Sequence, residues 1–339
     1  MASPLGNRAV GLELDTGTAR AVELTGKAGS PGLAAMGRIT LPEEAVKEGM
    51  VLQPEEVGKA LKALWNKAGL KGRDVILGVS NQGVLVRHIT VPKVPLAKLK
   101  NVITFQAQEH LPIALNSVVL DYLVLGDAPP AGESGENLEI LLVAARKDML
   151  DMFLQALKLA KLEPLDIDVS SMTMVRLLPQ QALGMNIALV NISNGLNNIL
   201  ISAQGKPRLA RLGMVKVKDL AEDLDSSLDE IISGQALSTA GAEDLLTNWT
   251  DNLASEIRSS LTYYQDQPGA STVEGILLSG RGALLAGIEE KLENNLDLPV
   301  RKLNYLEEYN PAKRKFVRVN EEAVEYAIST GLALRGLEG

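Results

Sequence analysis

The sequence predicts an α/β fold made of two similar halves facing each other across a cleft. A hairpin signature occurs twice, in residues 10–24 (VGLELDTGTARAVEL) and 189–201 (LVNISNGLNNILI), each time an apolar strand, a small-residue turn and an apolar return strand. Around each hairpin, strand-like runs give way to helical spacing in a similar order. A third glycine turn, Ser279-Gly280-Arg281-Gly282, follows a late apolar strand. Superposing the turn glycines, Gly17 and Gly195, puts Glu13 on Asn191 and Asp15 on Ser193. Gly, Ser, Thr and Asn let a turn aim several N–H groups at one anion, so two such turns in apposition suit a polyphosphate.

Each element follows from its local pattern. The first half opens with strand-like runs at 9–14, 19–24 and 36–41. An amphipathic helix follows, carrying Val57, Leu61, Leu64, Trp65 and Ala68 at helical spacing, with Pro54 at its start and Gly69 at its end. Strands at 74–79 and 84–91 complete this part. Pro92 and Pro95 then punctuate the chain before a helix at 96–111, strands at 118–125 and 138–144 around an exposed loop at 127–137, and a helix at 147–162. Residues 92–165 read as a small inserted α+β subdomain, dividing the chain into 1–91, 92–165 and 166–339. The second half repeats the theme with strands at 187–192, 198–202 and 208–212, and an acidic helical stretch at 219–232. A helix with Leu245, Trp249, Leu253, Ile257 and Leu261 every four residues comes next. A strand from Gly275, a helix at 284–296, a short strand at 300–303 and a helix at 321–335 end the reading.

Composition narrows the function. A chain of 339 residues with 46% hydrophobic and 22% charged residues buries real cores in two or three lobes. Aromatic content of 3% leaves those cores to aliphatic side chains. A net charge of −8 argues against a general nucleic-acid binder, which needs a basic stripe; Lys313-Arg314-Lys315 reads as a solvated loop. The absence of cysteine excludes disulfides, thiolate metal sites and cysteine nucleophiles. The first eight residues lack a signal-peptide pattern, and no apolar run approaches the roughly 20 residues of a membrane span, so a cytoplasmic location is expected. His88 and His110 stand apart in sequence, and no catalytic triad, zinc spacing or P-loop is visible.

Two hairpin turns in duplicated halves, with the third Ser-Gly-x-Gly turn, resemble the superfamily of actin, sugar kinases and heat-shock chaperone ATPases. The match narrows at Val10-Gly-Leu-Glu-Leu, Ala21-Val-Glu-Leu24, Val91-Pro-Lys, Glu109-His-Leu-Pro112, Val119-Leu-Asp-Tyr122, Leu142-Val-Ala-Ala-Arg-Lys147, Ser279-Gly-Arg-Gly-Ala283 and Gly331-Leu-Ala-Leu-Arg-Gly-Leu337. In this order these are similar to the type IV pilus assembly PilM family. The resemblance implies an actin-like, FtsA-like fold, with ribonuclease-H-like halves around a nucleotide cleft and the insert at 92–165. It also implies ATP with Mg²⁺ in the cleft, the N-terminal cytoplasmic tail of the inner-membrane protein PilN held between the insert and the first lobe, and a link from the inner-membrane complex to the assembly motors. A sugar-kinase-like phosphotransferase and the cytoplasmic scaffold of a type II secretion L protein are the alternatives.

The same resemblance assigns roles. Thr16, Gly17 and Thr18 face the β and γ phosphates with Arg20 nearby; their alternative is an ordinary hairpin turn. Glu13 sits at the superfamily's acidic position by hairpin length, while Asp15-Thr-Gly-Thr18 imitates its Asp-x-Gly-Thr motif, so either carboxylate approaches Mg²⁺ through water. In the second turn, Asn191, Ser193, Asn194 and Gly195 stand where the family commonly has Asp-Ile-Gly and hydroxyls. Asn191 carries no charge and is no general base, which favours nucleotide binding over hydrolysis. Gly280, Arg281 and Gly282 match the adenosine loop, and Glu256 and Ser260 match ribose and base contacts; their alternative is a solvated polar helix face.

Overall fold

The computed structural model describes residues 8–128, 136–238, 240–305 and 323–338. Most of the 127–137 loop, Lys313-Arg314-Lys315, the first seven residues and the start of the expected last helix lie outside these.

The first half begins with an antiparallel meander, β1 (Arg8–Asp15), β2 (Thr18–Lys27) and β3 (Ser30–Thr40). A two-rung ribbon of β4 (Val46–Lys47) and β5 (Met50–Val51) leads to α1 (Pro54–Ala68), which ends at Gly69 in the left-handed conformation, φ 69°. Next, β6 (Asp74–Val79) lies parallel beside β1. The chain then leaves to build a separate sheet from β7 (Val84–Pro92), α2 (Leu96–His110), β8 (Val118–Asp127) and β9 (Asn137–Arg146), in the order β7-β9-β8. It returns through α3 (Lys147–Ala160) and adds β10 (Glu163–Val169) parallel to β6, giving the first lobe the order β10-β6-β1-β2-β3.

After α4 (Ser170–Thr173) the plan repeats. A second meander, β11 (Asn186–Asn191), β12 (Asn197–Ala203) and β13 (Lys206–Gly213), is followed by helices α5 (Val217–Asp223), α6 (Leu228–Ile232) and α7 (Ala242–Gln265). Then come β14 (Gly275–Ser279), α8 (Ile288–Leu296), β15 (Val300–Lys302) and α9 (Ala327–Glu338). The second sheet runs β13-β12-β11-β14-β15, the same meander-plus-two-parallel-strands topology as the first. The duplication expected from the hairpins is therefore a duplication of whole sheets.

Three cores organise the two lobes. The outer face of sheet one packs on α1 and α3 through Leu12, Leu61, Trp65, Leu77 and Phe153. The outer face of sheet two packs on α7 and α8 through Val190, Trp249, Ile257, Leu278 and Leu292. Between the sheets, α9 brings Ile328, Leu332 and Ala333 against Val22 and Ile76 of one sheet and Leu189 and Leu200 of the other. The approach of α9 to β1 is so close that a Cβ on Gly11 would overlap the Ser329 carbonyl oxygen. Shared burial in this middle core fixes the lobes against each other.

The insert differs from its expected edges of 92 and 165. Its sheet starts at Val84, which pairs with Ala145, and it ends at Arg146. Helix α3 buries Met149, Phe153, Ala156 and Leu157 in the first lobe's core, because its apolar face meets α1 and not the small sheet. The acidic stretch expected at 219–232 is two short helices, and the 284–296 helix is a 3₁₀ turn at Arg281–Leu284 followed by α8.

Candidate functional site: the apposed hairpin turns

The first turn is as short as a hairpin allows. Asp15 pairs with Thr18, leaving Thr16 and Gly17 as the loop, with Gly17 at φ 70°. The second is longer, since Asn191 pairs with Asn198 and residues 192–197 form the loop. Its shape is held from within: Asn197 Oδ1 accepts from the Ser193 backbone amide at 3.0 Å, and Asn191 Nδ2 donates to Ser193 Oγ at 2.7 Å. Asn191 Oδ1 also accepts from the Ser279 hydroxyl at 3.0 Å, tying this turn to the end of β14.

The two turns touch. The Asp15 carboxylate accepts from the backbone amides of Asn194 at 3.1 Å and Gly195 at 3.2 Å, from its neighbour Thr16 at 2.7 Å, and from Arg20 Nη1 at 3.2 Å. In return, Asn194 Nδ2 donates to the Thr16 carbonyl and to Thr18 Oγ1, both at 3.2 Å. A Cβ on Gly195 would overlap Thr16 Oγ1, so any side chain there requires Thr16 to move. Further bonds cross the cleft: Lys216 Nζ to Glu48 at 2.6 Å, Lys218 Nζ to Glu43 at 2.9 Å, and Ser80 Oγ to Asn198.

Behind the turns lies a buried charge cluster. Arg20 is 2% exposed and faces three carboxylates, Glu325 at 2.9 Å, Asp15 at 3.2 Å and Glu13 at 3.8 Å. Burial pushes the Glu13 carboxyl up to about 7; Arg20 opposes the rise, while Asp15 and Glu325 add to it. For Glu325 burial also acts upward, but Arg20 and Arg38 together outweigh it and hold the carboxyl below its ordinary value. Arg38 and Arg281 extend the cluster to Asp229 on α6. Arg20 therefore serves the carboxylates around it. Arg20 Nη2 is buried and has no hydrogen-bond partner among the described residues.

The remaining expected site residues are engaged locally. Glu256 accepts from the backbone amides of Met214 at 2.6 Å and Val215 at 3.2 Å, bracing the end of β13 against α7. Ser260 is buried and its hydroxyl donates to the Glu256 carbonyl one turn back, so it belongs to no solvated face. Gly280, at φ 82°, and Gly282 both press on Ile192; a Cβ on either would overlap it. Their lack of side chains lets the third turn pack on the second. Arg281 pairs with Asp229.

Room between the turns is small. Glu13, Asp15, Ser80, Ser170, Ser193 and Asn198 border a void of about 20 Å³, about one water molecule. Among the described residues no group of three or more His, Cys, Asp or Glu stands together as a metal site. Larger cavities lie to either side. One of about 590 Å³ runs from Thr16 and Gly17 to α5 and α6. Two others meet along β7: about 300 Å³ at the junction of both lobes with the insert, lined by Gln82, Val86, Val169 and Leu212, and about 500 Å³ between the insert and the β13–α7 face, lined by His88, Arg208 and Tyr263. Val86, Arg87, Ala210 and Arg211 border both.

The duplicated sheets and apposed turns define an actin-like fold, and comparison with known proteins identifies the branch. The family model of the type IV pilus assembly protein PilM matches residues 11–337. The chain belongs to the PilM family. A solved PilM-PilN type IV pilus biogenesis complex contains a chain 26% identical to this one, with 98% of this chain and 99% of that chain covered at a TM-score of 0.83. The ethanolamine utilization protein EutJ from Carboxydothermus hydrogenoformans is 15% identical over 98% and 92% of the two chains, TM-score 0.56. MreB 5 of Spiroplasma citri, solved bound to AMPPNP, is 12% identical over 94% and 99%, TM-score 0.50. The last two speak to the fold alone. PilM membership decides among the families weighed from the sequence: this is a type IV pilus assembly protein of actin-like fold. Among its described residues no helix is long and apolar enough to cross a membrane.

Glu325, Arg38, Asp229 and Glu48 join the site without belonging to any local sequence motif. Glu325 lies 305 residues from Arg20. Its one local signal is a carboxylate in the apolar run Ala323–Leu337.

Proposed function

We propose that this chain is a pilus-assembly scaffold that holds the N-terminal cytoplasmic tail of PilN, and so acts at the inner membrane through its partner, joining the alignment complex to the assembly motors. The observation that supports this most is the end-to-end likeness to a chain from a PilM-PilN complex. The tail runs, in this proposal, along β7 where the two cavities meet, with the junction cavity taking apolar side chains beside Val86 and Leu212. Backbone pairing with an extended peptide and pockets for alternate side chains are the ordinary means of such recognition.

ATP and Mg²⁺, which the resemblance implies, do not fit between the turns as they stand. The amides of Asn194 and Gly195 are already bonded to Asp15, the void behind the turns beside Ser193 and Asn198 has room for about one water, and the larger cavity of about 590 Å³ lies outside the turns, against Thr16, Gly17 and Asn194. Glu13 and Asp15 face Arg20, which leaves them poor magnesium ligands. No step of the proposed function therefore passes through a nucleotide.

Fluorescence anisotropy of a labelled PilN tail tests the reading. Gln82→Trp and Arg87→Glu change exposed side chains that line the groove. Each is expected to weaken binding about tenfold while leaving the melting temperature in place. Unchanged affinity in both variants would move the tail elsewhere; no binding by the unaltered chain would remove the proposal.

A further inference from the structure

We infer that the Asp15 side chain is a built-in anion that occupies the phosphate nest of the second turn and keeps the two lobes closed without nucleotide. The carboxylate sits where four N–H donors converge: the amides of Thr16, Asn194 and Gly195 and Nη1 of Arg20, at 2.7–3.2 Å. Consecutive backbone amides with a cationic side chain form a nest that takes one oxyanion. Here the oxyanion belongs to the opposite lobe. Asp15 is 7% exposed, so its bonds to Asn194 and Gly195 are largely shielded from competing water.

The neighbourhood is built to the same end. Thr16 Oγ1 accepts from the Glu48 amide at 3.1 Å, which holds this side chain against the turn between β4 and β5. Gly195 leaves only the space that Thr16 fills. Ser193 Oγ accepts from Asn191 Nδ2 at 2.7 Å, which fixes that side chain within its own turn. Three bonds outside the nest, Lys216 to Glu48, Lys218 to Glu43 and Ser80 to Asn198, hold the lobes in the same closed position. Each half of the contact comes from a different lobe, so opening the cleft breaks all of them together. A nucleotide that needs the nest must displace Asp15 and separate the turns, and its affinity falls by the free energy of the closed state.

The readout is thermal unfolding of the full chain and does not involve PilN, so failure of the scaffold reading leaves it standing. The unaltered protein is expected to show no shift with millimolar Mg-ATP, whereas a ligand well above its Kd raises the midpoint. Asp15→Ala empties the nest: its midpoint is expected to fall by about 4 °C, and inorganic pyrophosphate, but not sodium chloride of equal ionic strength, restores part of the loss. Asp15→Asn keeps the shape without the charge and is expected to fall between the two. Stabilisation of the unaltered chain by Mg-ATP would overturn the inference, as would an Asp15→Ala variant as stable as its parent and indifferent to pyrophosphate. If Asp15→Ala does not fold, Asp15→Asn with the pyrophosphate titration carries the same decision.

Discussion

Replacing Glu13 with Gln probes the buried cluster at its weakest member. Glu13 is the carboxylate farthest from Arg20, at 3.8 Å against 3.2 Å for Asp15 and 2.9 Å for Glu325. One cation therefore faces three acids, and burial lifts the Glu13 carboxyl from 4.5 to about 7. A folded-state pKa above the unfolded one means that the folded protein holds the proton more tightly. The stability this contributes is complete below about pH 4.5 and is lost as the pH rises to about 7. At about 1.36 kcal/mol per unit, the rise corresponds to on the order of 3 kcal/mol. The entropy of unfolding for a chain of this length, about 0.7 kcal/mol per degree, converts that to ~4 °C. Glutamine keeps the acceptor that Ser329 Oγ reaches at 3.4 Å but carries no charge at any pH. Thermal unfolding by circular dichroism of both proteins from pH 4 to pH 8, at fixed ionic strength, cancels the other titrations in the difference. The midpoints are expected to coincide near pH 4, with the variant ~4 °C higher at pH 8. A pH-independent difference, or a variant that falls below its parent at pH 8, refutes the reasoning.

Other perturbations separate structural from functional roles. Gly11→Ala drives a methyl into the Ser329 carbonyl and is expected to cost at least about 3 kcal/mol by urea denaturation, because α9 cannot withdraw without opening the middle core. Glu256→Ala frees the Met214 and Val215 amides; about 2 kcal/mol of stability is expected to go while PilN-tail affinity stays, and lost affinity at unchanged stability would assign Glu256 to binding. Asn191→Asp puts a carboxylate at a site 2% exposed, where the hydroxyls of Ser193 and Ser279 are the donors. It is expected to lower the midpoint at pH 8 without creating a Mg²⁺-dependent shift, and a shift on adding Mg²⁺ would place the residue at a metal site.

The duplication was legible because it is written in local pattern: each meander carries its own alternation, and the long stripe of α7 repeats every turn. Strand β10 does alternate, as Leu165-Asp166-Ile167-Asp168-Val169, but it opens on Glu163-Pro164 only two residues after α3, and its partner β6 lies some ninety positions upstream. The start of the insert is hidden for a comparable reason: nothing within Val84–Pro92 says whether its partner is β6 or β9, a choice made by residues some fifty positions away. The site residues show the same limit more sharply. Asp15 beside Thr16-Gly17-Thr18 reads as a phosphate-loop acid in any one-dimensional comparison. That its carboxylate fills the nest of Asn194 and Gly195 depends on a contact across 180 residues. Ser260 likewise looked like a polar face until the packing of α7 buried it.

The central claim is a PilN-binding scaffold whose cleft is closed by its own side chains. Isothermal titration calorimetry of a synthetic PilN N-terminal tail into the full chain, with and without millimolar Mg-ATP, tests it most directly. The account predicts saturable binding with the same Kd in both conditions. Absence of heat at high micromolar peptide, or binding that appears only when Mg-ATP is added, would contradict it.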